Sequence, residues 1–297
     1  LIEKIKNSLT LRVLKELQTL AEQNVEKYGK FWQTYGTLLK EGVSSDFKNK
    51  DRLKDLLRFN SSISEDSSTD VTLKDYVSRM REGQKDIFYV TGGSREAILH
   101  NPNLEYFRRQ GLEVLFLTDQ IDDFMVVDLR DYDGKTLKNI SQGDIEGIND
   151  SDMSAAESSL SKEEKSDILA FFKKQLKDRV SEVSDSKRLV DSPCSLVTPK
   201  DGMTAQMEKM MKMMDQKFQG EKRNLEVNMG HPIIQNLSEI LQKNKKHPFL
   251  KETVEQLYEN SLLVEGLLEN PVQILSRYQM FMESASAYEL EKLNRVE

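Results

Sequence analysis

"DIFYVTGGSREAILHNPNLEYFRRQGLEVLFLT", residues 86–118, holds two short apolar runs, DIFYVT and LEVLFLT, on either side of a stretch with helical spacing. Strand, helix and strand this close together make a βαβ unit, so a small parallel sheet is expected. Downstream, "IDDFMVVDLRDYDGKTL" (121–137) offers another helix and then a turn into a short strand. Upstream, residues 1–59 read as three helical segments, with Ile2, Ile5, Leu9, Val13, Leu17 and Leu20 recurring at three and four. They divide near Gln23-Asn24 and at Gly42 to Asp46. "FWQTYGTLLKEG" (31–42) places Phe31, Trp32, Tyr35, Leu38 and Leu39 on one broad face, with Trp32 read as core. "NSSISEDSSTD" (60–70) is a serine-rich loop.

Residues 141–166 lose hydrophobic periodicity and lean acidic, which marks a linker. Three segments are expected: a first domain over 1–145, a linker over 146–160 and a second domain over 161–297. The second begins with a helix at about 161–178. "RVSEVSDSKRLVDSPCSLVTP" then alternates like two strands around a turn, and "NLEVNM" reads as a strand. Two helical patterns finish the chain, one through Leu250, Val254, Leu257, Leu262 and Val264, the other through Val272, Leu275, Tyr278, Met282 and Tyr288. The fold class is therefore α+β with an α/β part: helices plus a small βαβ sheet unit, then a mixed α+β domain ending in a helical hairpin. That pair carries more apolar surface than a short hairpin buries within itself. Either it packs back on its own domain, or a dimer completes a four-helix bundle.

"MTAQMEKMMKMMDQKF" (203–218) contains six of the twelve methionines. At 100° per residue Met203, Met207, Met210, Met211, Met214 and Phe218 fall within roughly 100°, with Lys209, Lys212 and Gln216 opposite. Two readings fit: an ordinary core-facing stripe, or a surface whose unbranched, polarizable side chains adapt to varied partners.

The chain is acidic, with a net charge of −7 and a pI of about 5.3, which excludes a nucleic-acid binder of the basic type. No stretch has the length of apolar residues needed to span a membrane, and the N-terminus has no signal-peptide pattern, so a cytoplasmic protein is expected. Cys194 has no partner, and His100, His231 and His247 stand far apart, so neither a disulfide framework nor a metal site is expected. Neither standard phosphate-loop motif occurs. "TGGS" (91–94) sits between a strand and a helix, where backbone N–H groups can hold an anion, and this supports a rival reading as a small-molecule or nucleotide-binding α/β enzyme. In "LTDQIDDF" (117–124), Asp119 reads as a helix N-cap, with Asp122 and Asp123 favouring the positive helix end. His231-Pro232 reads as a helix start. No residue is assigned a catalytic role.

"FWQTYGTLLKEGVSSDFKNKDRLKDLLRFNSS", "VTLKDYVSRMREGQKDIFYVTG", "GLEVLFLTDQIDDFMVVDL" with "DYDGKTL", and "KRLVDSPCSLVT" ahead of the methionine segment closely resemble the ninety-kilodalton heat-shock-protein chaperones, nearest the bacterial HtpG type. The resemblance covers nearly the whole chain in the same order. It implies the C-terminal portion of an ATP-dependent homodimeric chaperone: the rest of the middle domain, then the dimerisation domain. It places the nucleotide pocket, with its ATP and Mg, and the catalytic arginine loop before Leu1, so this chain by itself is expected to hold no cofactor and to hydrolyse no ATP. It also implies a surface for non-native client proteins at Asp123, Phe124 and Val127 and on the helix carrying Met203, Met207, Met210, Met211, Met214 and Phe218. The dimer contact is implied on the last two helices, at Leu250, Val254, Leu257, Leu262, Val264, Val272, Leu275, Tyr278 and Met282. Phe124 stands where the family often has tryptophan, and the helix is richer in methionine than the family leads one to expect. The chain ends at "NRVE" without the acidic tail of cytosolic eukaryotic members.

Overall fold

The structure, a computed structural model, describes residues 1–66, 70–143, 158–200, 202–215 and 217–295. The expected linker at 146–160 lies almost wholly outside the described residues. In chain order the elements are α1 (Ile2–Gln23), α2 (Val25–Ser45), α3 (Lys50–Leu56), β1 (Asn60–Ser61), α4 (Leu73–Arg79), β2 (Asp86–Thr91), α5 (Arg95–Leu99), α6 (Glu105–Gln110), β3 (Leu115–Leu117), α7 (Asp122–Leu129), β4 (Asp131–Tyr132) and β5 (Lys135–Asn139). There follow α8 (Lys162–Leu176), β6 (Val180–Asp185), β7 (Cys194–Val197), α9 (Ala205–Met214), β8 (Arg223–Val227), α10 (Pro232–Lys243), α11 (Pro248–Glu265) and α12 (Leu275–Asn294). The chain forms two compact units: Leu1–Asn149 with Lys200–Gln219, and Asp150–Pro199 with Gly220–Glu297. The segment carrying α9 groups with the first unit, whereas its sequence neighbours on both sides belong to the second.

In the first unit the five strands run in the order β1-β3-β2-β5-β4, with β2 parallel to both β3 and β5. The βαβ expectation is met. Ile87, Phe88, Tyr89 and Val90 of β2 are all buried, which explains why this strand reads as a continuous apolar run and does not alternate. The β4–β5 hairpin closes at Asp133-Gly134, both with positive φ (48° and 72°), the conformation a two-residue turn needs to match strand twist. Asn24 separates α1 from α2 and restarts the helix by accepting from the Lys27 N–H at 2.9 Å. Helix α2 continues through Gly42 to Ser45, one turn beyond the expected break. A Cβ at Gly42 would sit 3.1 Å from Leu53 Cδ1, so this glycine lets α3 lie close. Phe31, Trp32 and Leu39 pack on the core, but Tyr35 and Leu38 of the same broad face are exposed. The core joins Leu56, Leu57, Leu73, Ile87, Leu115, Met125 and Leu129, each burial contributing about 1.5–3 kcal/mol.

In the second unit the strand order is β6-β8-β7, β8 being parallel to β6 and antiparallel to β7. The two strands expected around a turn are therefore not partners. β8 lies between them, with Leu225 and Val227 buried. The connection from β6 to β7 is held by Asn228, whose side-chain amide donates to the Val190 and Ser192 carbonyls at 3.2 and 3.1 Å. Helix α8 opens with a capping box between Ser161 and Glu164 and buries Ile168, Phe172 and Leu176.

Candidate functional site

Helix α7 buries Met125, Val126 and Leu129 and leaves Phe124 (40%) and Val127 (55%) exposed. Its two opening carboxylates are both buried. Lys40, reaching from α2, lies 2.7 Å from both Asp119 and Asp122. Asp119 thus precedes the helix as an ion-pair partner and does not cap it, while the Asp122 carboxylate accepts from the Asp119 N–H at 3.0 Å. Burial pushes the Asp122 carboxyl above the usual carboxylate range against the pull of Lys40.

Asp123 is the first correction to the expected client surface: it is buried, so it offers nothing to a macromolecular partner. Its carboxylate accepts from the hydroxyls of Thr204 and Thr91, and one oxygen, Oδ1, has no hydrogen-bond partner among the described residues. Burial again raises its carboxyl above the ordinary range, opposed by the two hydroxyls and by the charge of Lys209. A raised folded-state value means that stability is fullest at low pH and is lost as pH climbs through that raised value. Asp123→Asn, which keeps an acceptor for a threonine hydroxyl, is expected to raise the melting temperature at neutral pH. The gain should shrink as pH falls into the range where the native acid is protonated, and melting curves at several pH values check this.

Thr204 also caps α9, accepting from the Met207 N–H at 3.2 Å, so the start of α9 is tied to the start of α7. The residue that α9 buries is Glu208, paired with Lys212 at 3.3 Å. The methionine stripe points elsewhere. Met203, Met207 and Phe218 are half-buried, Met210 and Met211 are exposed, and Met213 (83%) and Met214 (76%) are almost bare. Neither core cluster includes an α9 residue, so the core-facing reading fails. Met213 lies off the stripe and is missed by spacing alone, because nothing in the sequence shows how little of this helix is covered.

The C-terminal helices divide. Leu250, Val254 and Leu257 of α11 sit in the core of their own unit with Phe172 and Leu225, which corrects their placement at a dimer contact. Leu262 is half-buried against the same core, and Val264 is exposed. Val272, Leu275, Tyr278 and Met282 are exposed, as are Tyr288, Leu290 and Leu293 further along α12. Helix α12 is fastened to α11 by Arg277, which meets Glu259 at 2.6 Å and Glu252 at 3.3 Å, by Tyr278 Oη on Asn260 Oδ1 at 2.9 Å, and by the edge-on rings of Phe249 and Phe281.

The residues of the rival reading have structural roles. A Cβ on Gly92 would meet Ile98 Cγ1 at 2.6 Å, and Ser94 caps α5, so the TGGS turn serves close packing. His231 and His247 each accept the N–H two residues on, ahead of a proline in the first turn of α10 and α11. The start expected at His231-Pro232 is found; its twin at His247-Pro248 follows the same pattern. Burial raises the Cys194 thiol to about 11, which leaves it an inert core group.

The described residues thus hold a buried ion pair beneath a helix with exposed Phe124 and Val127, a helix with exposed methionines, and a terminal helix with an exposed apolar face. The chain belongs to the Hsp90 protein family, whose profile matches residues 1–296. It is 42% identical over 295 residues to the chaperone protein HtpG of Chlorobaculum tepidum, an alignment covering 95% of this chain and 45% of that protein. The HtpG of Chlorobium luteolum is 40% identical over 288 residues (96% and 45%), and that of Geobacter sulfurreducens 40% over 267 residues (89% and 41%). The chain thus spans less than half the length of these relatives. Among the described residues no helix is long and apolar enough to cross a membrane.

Proposed function

We propose that this stretch is the client-holding and self-associating part of a cytoplasmic Hsp90-type chaperone. Non-native proteins dock their exposed apolar segments on Met210, Met211, Met213 and Met214 of α9, with Phe124 and Val127 of α7 on the same unit. Two copies join through α12 and the exposed end of α11. Nucleotide chemistry, with ATP and Mg, is assigned to parts of the whole protein that this stretch does not match, and the stretch itself acts by binding. The observation that carries the reading is the outward methionine face: thioethers adapt to many shapes, and a face packed on neither core is open to a partner. Lys209 and Lys212 favour acidic segments.

Replacing Met210, Met211 and Met214 together by serine tests it. Each methionine contributes up to roughly 1.5–3 kcal/mol when covered, so partial covering of three predicts at least a tenfold loss, about 1.4 kcal/mol, in affinity for an unfolded protein. The melting temperature should hardly change, since these side chains are already in water. A large drop in melting temperature with unaltered affinity would sink the proposal.

A further inference from the structure

We propose that the exposed end of α9 is a reversible oxidation site, at which peroxide converts Met210, Met211, Met213 and Met214 to sulfoxides and so releases bound clients. The inference rests on the reading of α9 as the client face.

A thioether has no proton to lose, so its reactivity is set by access more than by activation. Four thioethers crowd into the five positions 210–214 at the end of one helix, and all four are exposed. Met125 and Met229 are buried in the cores, and Met80 is packed against one of them. Met282, on the exposed face of α12, is the comparably open methionine elsewhere among the described residues, and self-association would cover it.

The reaction balances with hydrogen peroxide alone. A sulfur lone pair attacks one peroxide oxygen, the O–O bond breaks, an S–O bond forms, and the second oxygen leaves with a proton as water. Sulfur loses two electrons and the peroxide gains them. In the reverse step a dithiol reductant supplies two electrons and two protons, the sulfoxide oxygen leaves as water, and the dithiol closes to a disulfide. Each conversion turns a flexible apolar side chain into a polar one. Because the four sites adjoin, one exposure to oxidant makes the whole end of the helix polar. Helix α9 itself has little to lose, since the residue it buries is Glu208 and its N-terminal cap is Thr204.

The test treats the full chain with graded hydrogen peroxide, reads oxygen uptake at each methionine by peptide mass spectrometry, and measures affinity for reduced, carboxymethylated α-lactalbumin as a permanently unfolded probe. Met213 and Met214 should oxidise first, Met210 and Met211 next, and Met125 and Met229 last. Affinity should fall by about tenfold or more as the α9 sites fill. It should return on treatment with methionine sulfoxide reductases of both stereospecificities and dithiothreitol. A variant with all four methionines changed to leucine should show an affinity, at whatever starting level, that peroxide leaves unmoved. Full oxidation of the four sites with unchanged affinity would overturn this inference and leave the client reading standing. So would an equal peroxide response in the leucine variant. An untreated chain that fails to bind the probe would overturn both.

Discussion

A chain ending at Asn270, and so lacking α12, is expected to sediment as a monomer under conditions where the intact chain is a dimer, with its second unit still folded. At 100° per residue Leu275, Tyr278, Met282 and Leu293 fall within about 60° of one another, and all are exposed. That stripe suits the partner's copy in a bundle of four helices. Its removal should weaken association by at least about 100-fold, near 2.7 kcal/mol. The cut also separates two roles that share one periodicity. Ending the chain after Lys246 would remove α11 as well, and with it Leu250, Val254, Leu257 and Tyr258 from the core, so the second unit should lose its cooperative melting. Dimerisation that survives the cut at Asn270 would place the contact away from α12.

Lys40→Met is expected to destabilise the first unit by about 3–5 kcal/mol, because it leaves the fully buried Asp122 without its countercharge. The methionine keeps most of the apolar stem, so lost packing contributes little. The loss should shrink in acid, where Asp122 takes up a proton and no longer needs a cation. Adding Asp122→Leu should recover most of the deficit at neutral pH, since two apolar groups replace an ion pair of similar volume. Denaturant titration of the single and double variants checks this, and a single-variant loss below about 1 kcal/mol would mean that Asp122 is solvated or neutral in the native protein.

The parts of the fold legible in the sequence are those set by local pattern. β2 and β3 stand out because their central residues are all apolar, the turn before β5 because few dipeptides suit the backbone that Asp133-Gly134 adopts, and the start of α10 because His231-Pro232 fixes a cap and a first turn. What spacing leaves open is the identity of the neighbour. Leu250, Val254 and Leu257 recur like Leu275, Tyr278 and Met282, yet the first set fills a core and the second meets solvent. The methionines of α9 have a core-like spacing, and only the burial of Glu208 on another side of that helix tells which way they face. Asp122 and Asp123 look like ordinary charges at a helix start. Their burial depends on Lys40 and Thr204, distant in sequence, and no local window contains those partners. β8 is recognisable as a strand, but its place between β6 and β7 is a long-range choice.

The side chain of Thr204 receives the Met207 N–H and gives its own hydroxyl proton to Asp123. Starting the helix and fastening it are thereby one event. With ten residues, α9 falls below the roughly 12–15 at which a free helix persists in water. Once unfastened it would unravel, and methionines that now share one end of a cylinder would scatter along a random coil. Under the proposed function, the grip on a client is then a property of the anchored state, and the Thr204 hydroxyl is one of the contacts that anchor it.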